Sequence, residues 1–164
     1  MLPEHSEPAT LVSADHARLV SRISSEYFLD SAVLCAEFFK GELVTGLVFL
    51  AILRENVRYI DHGSPEGMAH RALDAPPPND LREPVTVYVV AKALGLTYET
   101  ARRHVKRLVD DGYCLRLERG LLIPTEVLTR PEFLRANVRN LANFNRMLTD
   151  AARASVIGVV PVAP

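Results

Sequence analysis

The stretch Val85-Thr-Val-Tyr-Val-Val-Ala-Lys-Ala-Leu-Gly95-Leu-Thr97-Tyr-Glu-Thr-Ala-Arg-Arg-His-Val-Lys-Arg-Leu-Val-Asp-Asp-Gly112-Tyr-Cys-Leu-Arg-Leu-Glu-Arg-Gly120-Leu-Leu-Ile-Pro124 decides how this chain is read. Thr86 is suited to cap a helix over 87–94, and Gly95 stands where a helix ends in a left-handed residue. Thr97 is suited to cap a second helix running to Asp111, which Gly112 stops. Two short strands follow around a turn expected at Arg119-Gly120. Val90, Ala91 and Leu94 are expected to pack against Ala101, Val105 and Leu108, with Leu96 plugging the corner between the helices. The opposite face of the second helix is then free, and it carries Tyr98, Glu99, Arg102, Arg103, Lys106 and Arg107.

Helix, tight turn, helix and hairpin in this order predict a winged helix-turn-helix over 85–124. The fold class expected for the chain is mainly α, with the short β-hairpin as the wing and helices on both sides. Four cations on one free helical face suit a groove lined by phosphates. Arg102 and Arg103 stand where a guanidinium could grip guanine O6 and N7, while Lys106 and Arg107 suit phosphate. Thr97 and Thr100 can donate hydroxyl hydrogen bonds to phosphate at the helix start, and Arg116 and Arg119 flank the hairpin tip. Tyr98 either stacks or hydrogen-bonds on DNA, or covers the turn. The competing account of the basic face is a solvated helix with ion pairs, Glu99 with Arg103 and Arg103 or Lys106 with Asp110.

The run from Thr97 to Gly112 resembles the recognition-helix stretch of GntR-type winged-helix repressors, with Thr97, Thr100, Ala101, Arg102, Val105, Leu108 and Gly112 in register. That resemblance implies DNA contacts at Thr97, Thr100 and Arg102. Tyr98 departs from the arginine usual in that family, and the hairpin has one tip glycine, Gly120, instead of a Gly-x-Gly. The layout, with helices flanking a central winged helix, is similar to MarR-like dimers, in which terminal helices form the subunit interface.

Around this centre the chain divides into an expected tail 1–12, a helical dimerisation region 13–60, a connection 61–84, the winged helix 85–124, a further dimerisation helix 125–154, and a tail 155–164. The first helix is expected from near Ser13 or Asp15 to about residue 40, before Gly41. The run Leu43–Leu53 is apolar nearly all round, which implies burial on more than one face. Pro65, Pro76, Pro77, Pro78 and Pro84 mark the connection, with a short helical piece at 66–74. Thr129-Arg-Pro-Glu132 offers a capping box and a first-turn proline for a helix of about six turns. The apolar faces of the flanking helices exceed what a small winged helix can cover, so a homodimer is expected.

Over 164 residues the net charge is −1, which by itself argues against a nucleic-acid partner. The average hides a gradient of −6 over 1–84, +3 over 85–124 and +2 over 125–164. Cys35 and Cys114 read as two buried thiols in a reducing compartment, and no metal-spaced cluster of Cys or His is present. The N-terminus has no signal-peptide pattern, and Leu43–Leu53 is too short for a bilayer of ~20 residues, so a cytoplasmic, nucleoid-associated place and no membrane contact are expected.

No catalytic constellation, phosphate loop, metal set or cofactor motif is found, so no enzyme activity, metal or cofactor is expected. Glu37 and Glu42 are five apart and point different ways on a helix. His104 reads as a packing or phosphate-side residue. Phe38, Phe39, Phe49 and Cys35 are the candidate lining of a small-molecule effector pocket, with core packing the stronger account. The function these readings support is a homodimeric, sequence-specific transcriptional regulator binding double-stranded DNA, a bacterial repressor by resemblance. The alternative is a winged-helix module that binds protein.

Overall fold

A computed structural model describes residues 16–156. Seven helices and one two-stranded antiparallel sheet make up the regular structure among the described residues. In order these are α1 (Ala17–Phe38), α2 (Leu43–Asn56), α3 (Pro65–Ala69), α4 (Val87–Leu94), α5 (Tyr98–Asp110), β1 (Leu115–Leu117), β2 (Gly120–Leu122), α6 (Thr125–Leu128) and α7 (Pro131–Arg153). A single 3-10 turn, Asn79–Leu81, lies in the connection between α3 and α4. The expected helix start at Ser13 or Asp15, and most of both expected tails, lie outside the described residues.

Residues 32–140 form one compact unit, and the segments up to Ser31 and from Leu141 onward form another. This differs from the division expected at 60, 84 and 124. The reason is α2, which packs on α4, α5 and β2 and so belongs to the larger unit's core, not to a separate region. Val48, Phe49 and Ile52 of α2 are fully buried with Val90, Ala101, Val105, Leu108, Leu121, Ile123 and Val127. Each large side chain so buried contributes about 1.5–3 kcal/mol relative to exposure. The all-round apolar pattern of α2 does not mean all-round burial in the single chain: Leu43, Val44, Leu47 and Leu50 remain partly in solvent.

Local chemistry sets the ends of α4 and α5. The Thr86 hydroxyl accepts from Val89 N and that of Thr97 from Thr100 N, each satisfying an amide with no intrahelical partner. Gly95 closes α4 at φ 65°, a conformation in which a Cβ would crowd the following carbonyl. Leu96 N then donates to Ala91 O at 2.9 Å, and Leu96 turns into the core.

The hairpin turn falls at Glu118-Arg119, one residue earlier than expected, and Gly120 opens β2. Gly120 is needed for close approach. Val85 exchanges two backbone hydrogen bonds with Leu121 on the free side of β2, at 3.0 and 2.8 Å. A Cβ on Gly120 would meet Val85 O at 2.7 Å, and φ is 141°. Val85 therefore adds a one-residue third rung to the hairpin, although it reads in sequence only as the approach to a helix.

Three buried polar groups hold this unit together. Asn56, at the end of α2, donates Nδ2 to Glu83 O (2.7 Å) and Leu121 O (3.0 Å), while its Oδ1 accepts from Ile123 N (2.9 Å). Arg82 donates to Ile123 O at 2.5 Å, and its Nε has no partner among the described residues. The third group, His104, belongs to the site below.

The connection is tied down by Asn79, whose Oδ1 accepts from Thr125 N at 2.8 Å. The helical piece expected at 66–74 is shorter, with Ser64 capping Gly67 N. Helix α6 has no counterpart in the sequence reading, and it removes the expected capping box. The Thr129 hydroxyl donates back to the carbonyls of Thr125 and Glu126, and α7 begins at Pro131 without a side-chain cap from Thr129.

Both cysteines are free thiols. Cys114 is buried and burial pushes its thiol up to about 11. Cys35 is only half-buried, contrary to expectation, and its sulfur sits over Gly46 of α2. No helix among the described residues is long and apolar enough to cross a membrane.

Candidate functional site

Helix α5 is strongly two-faced. Ala101, His104, Val105 and Leu108 are buried, whereas Tyr98, Glu99, Arg102, Arg103, Lys106 and Arg107 are all exposed. The spacing of the apolar residues produces this division, because positions three and four apart share a helical face. Exposure is therefore as expected for the whole cationic row.

Its electrostatics differ from the expected pattern. Glu99 pairs with Arg102 rather than Arg103, through Nε at 2.8 Å and Nη2 at 2.6 Å. The hydrogen bond from Arg102 holds the Glu99 carboxyl below its usual range. The guanidinium fork of Arg102 is thus occupied by a carboxylate in the free protein. Lys106 pairs with Asp110 at 2.5 Å, as expected from the spacing. Arg107 reaches Glu42 at 2.9 Å, a partner from the start of α2 that no local spacing suggests. Arg103 makes no ion pair among the described residues.

Glu42 occupies the position where a residue would cap α2, yet its side chain makes no capping bond. The turn before it holds two left-handed residues, Lys40 at φ 54° and Gly41 at φ 92°, which turn the chain from α1 into α2. Glu37 pairs separately with Arg139 at 2.9 Å, so the two carboxylates do point different ways.

His104 lies directly beneath this cationic row. It is 8% exposed, and its Nδ1 is 2.9 Å from the Thr45 hydroxyl on α2, itself buried. Burial first, then the neighbouring charge of Arg103, lowers its pKa and favours the neutral ring. A packing role is what this geometry supplies. Glu42, Arg103, His104, Lys106, Arg107, Asp110 and Asp111 line an open cleft of about 560 Å³.

At the other end of α5 the hairpin and both helix starts come together. Thr86, Tyr88, Tyr98, Arg116, Arg119 and Gly120 are among the residues lining a groove of about 460 Å³. Tyr88 is 65% exposed and Tyr98 54% exposed, so Tyr98 is not a lid over the turn. Arg116 and Arg119 are exposed, as expected of hairpin-tip residues. Tyr88 was not anticipated. Its signal was there, since position 88 is the polar-facing position between the buried Val87 and Val90. Thr97 and Thr100 join hydroxyls at 2.8 Å, so one of the two protons is engaged before any partner arrives.

The candidate effector lining does not assemble as expected. Phe49 is buried in an aromatic cluster with Phe38, Phe39, Tyr113 and Phe133, at centroid separations of 4.9–6.3 Å. Cys35 packs on Gly46. Phe38 and Phe39 do line a cleft of about 440 Å³, with Lys40, Glu42, Thr45, Arg107, Asp111 and Tyr113. Among the described residues no group of three or more His, Cys, Asp or Glu is placed to hold a metal ion. Comparison with family models, with curated proteins and with solved structures yields no match.

Proposed function

We propose that residues 85–124 are a winged helix-turn-helix that binds double-stranded DNA, with α5 entering the major groove and the hairpin as its wing. One observation carries this reading. The cationic face of α5 stands wholly in solvent, while the helix is held from behind by α2 and α4 and flanked by the hairpin. A helix seated on a rigid core and exposing Arg102, Arg103, Lys106 and Arg107 has the width and charge to fit a groove lined by phosphates.

Roles follow from position. Arg103, without a carboxylate partner, is the residue most ready for bidentate contact with guanine. Arg102 can join it when DNA displaces Glu99. Lys106 and Arg107 meet phosphates farther along the helix, and Thr97 and Thr100 serve phosphate at its start. Tyr88, Tyr98, Arg116 and Arg119 flank the groove beside the wing, where aromatic rings and guanidinium groups suit sugar and phosphate.

A second reading has its own observation. Glu99, Asp110 and Glu42 neutralise three of the four cations, as on a face built to meet another protein. Salt dependence separates the two. In vitro selection of bound sequences followed by anisotropy titrations is expected to enrich one motif. Affinity should fall with salt at a slope of about −0.9 per phosphate contacted. Arg103→Ala should lower affinity for the selected sequence about 10-fold or more, corresponding to about 1–3 kcal/mol. No enrichment at low salt, together with a flat salt response, would overturn the DNA reading in favour of a protein partner.

A further inference from the structure

The unit formed by the segments up to Ser31 and from Leu141 onward is built from one stretch of α1 and one of α7. Within it Tyr27 meets Phe144 edge to face at 5.7 Å, and Asp30 pairs with Arg146. Among its described residues only Ala151 and Val156 are buried. Two helical segments with so small a core fall well below the ~40 residues under which folded units usually need outside support.

The same unit leaves its largest apolar side chains in water. Phe28 is 67% exposed, Leu29 60% and Leu141 54%, with Phe144 and Leu148 each 39% exposed. Leu141, Phe144 and Leu148 recur three and four residues apart, which places them in one stripe along α7. On α1, Phe28 and Leu29 stand on the side turned from Tyr27 and Asp30, which face α7. Five such side chains expose on the order of 400 Å² of apolar surface, within the range of a functional patch. Together with the polar flanks, two helices of this length approach the ~800 Å² per partner of a stable interface.

Charge narrows the choice of occupant. The described residues of the unit hold Arg18, Arg22, Arg146 and Arg153 against Glu26, Asp30 and Asp150. A surface so nearly balanced presents little net charge to an acidic peptide, a nucleic acid or an anionic membrane. It does not repel a copy of itself. An apolar stripe with both signs at its edges suits an isologous contact, in which each copy offers the same patch.

We propose that this unit is the dimerisation element of the chain: two copies pair their two-helix units into a four-helix bundle, with Phe28, Leu29, Leu141, Phe144 and Leu148 in the shared core. The element excludes α2, which the sequence pattern had assigned to dimerisation. The dimer does not depend on the DNA reading. If both hold, two α5 helices are available for a target of two half-sites spaced by about one DNA turn, ~34 Å.

The test is sedimentation equilibrium of the full chain from about 0.1 to 100 µM, with no DNA present. A mass twice that of one chain is expected, and far-UV helicity should fall as dilution separates the copies. Leu29→Asp with Leu141→Asp should weaken association at least 100-fold, and the milder pair Leu29→Ser with Leu148→Ser about 10-fold. Amide exchange in α2, α4 and α5 should stay slow in both, showing that the larger unit remains folded. Three results would overturn the proposal: a monomer at every concentration, a dimer indifferent to these changes but broken by Leu115→Asp, or a monomer that sediments with neutral lipid vesicles.

Discussion

Replacing Asn56 by Leu tests whether the hairpin is held by a buried amide or merely by apolar contact. Asn56 is 1% exposed and makes three hydrogen bonds, at 2.7, 3.0 and 2.9 Å. Leucine keeps the approximate size and removes all three. The consequences are unequal. Leu121 O retains its bond from Val85 N, and Glu83, an exposed residue, can offer its carbonyl to water. Ile123 N has no such recourse, because Ile123 is completely buried.

An orphaned buried amide costs about 1–3 kcal/mol and each lost hydrogen bond about 1 kcal/mol, offset in part by the more apolar side chain. The expected net loss is about 2–3 kcal/mol, or a fall in Tm of about 5–10 °C for a chain of this size. Asn56→Asp should lose more at neutral pH, because a carboxylate oxygen replaces the amide donor opposite two carbonyls. Urea unfolding followed by far-UV circular dichroism, at one fixed protein concentration, measures both. A change below about 0.5 kcal/mol for Asn56→Leu would refute the reasoning, since ordinary surface substitutions fall in that range.

The Glu42–Arg107 pair makes a functional test. Glu42→Gln leaves Arg107 uncompensated, so DNA affinity at low salt should rise a few-fold and the salt slope steepen by about one unit in anisotropy titrations. Unchanged affinity and slope would place Arg107 outside the interface. His104 has a pKa lowered by burial and by Arg103, below its unfolded value of about 6.5. Its contribution to stability is therefore complete above that unfolded pKa and is lost as pH falls through the lowered folded one. Urea midpoints measured downward from pH ~7.5 should show this loss, and His104→Gln should flatten that part of the profile. Gly120→Ala forces a Cβ against Val85 O at a φ of 141° and should destabilise the chain by about 2 kcal/mol or more in the same assay. A neutral result there would mean that the Val85 rung is dispensable.

How much could be read in advance depends on the range of the interaction. Thr86, Gly95 and Thr97 were legible because a cap or a left-handed stop acts within three or four residues. The burial of Val90, Ala101, Val105 and Leu108, and the exposure of Arg102, Arg103, Lys106 and Arg107, followed from helical periodicity. Errors appeared where two local readings competed. Thr129 suits a capping box by its spacing from Glu132, yet the short α6 claims its hydroxyl first. Glu99 is placed three residues from Arg102 and four from Arg103, and only side-chain geometry selects Arg102.

By itself, then, the sequence determined which residues form α4 and α5, where those helices stop, and which face of α5 is cationic and exposed. Periodicity and capping are one-dimensional rules, and they need no knowledge of the rest of the chain. Only tertiary structure decided the partners that lie far apart in the chain. Thr45 meets His104 across 59 residues, Asn56 meets Ile123 across 67, and Glu42 meets Arg107 from another helix. It also decided that α2 joins the core behind α5 while the helical segments 17–31 and 141–153 keep an apolar face in water. An apolar helix states that it must be covered but not by what, because hydrophobic burial has no direction; its packing neighbours supply the answer.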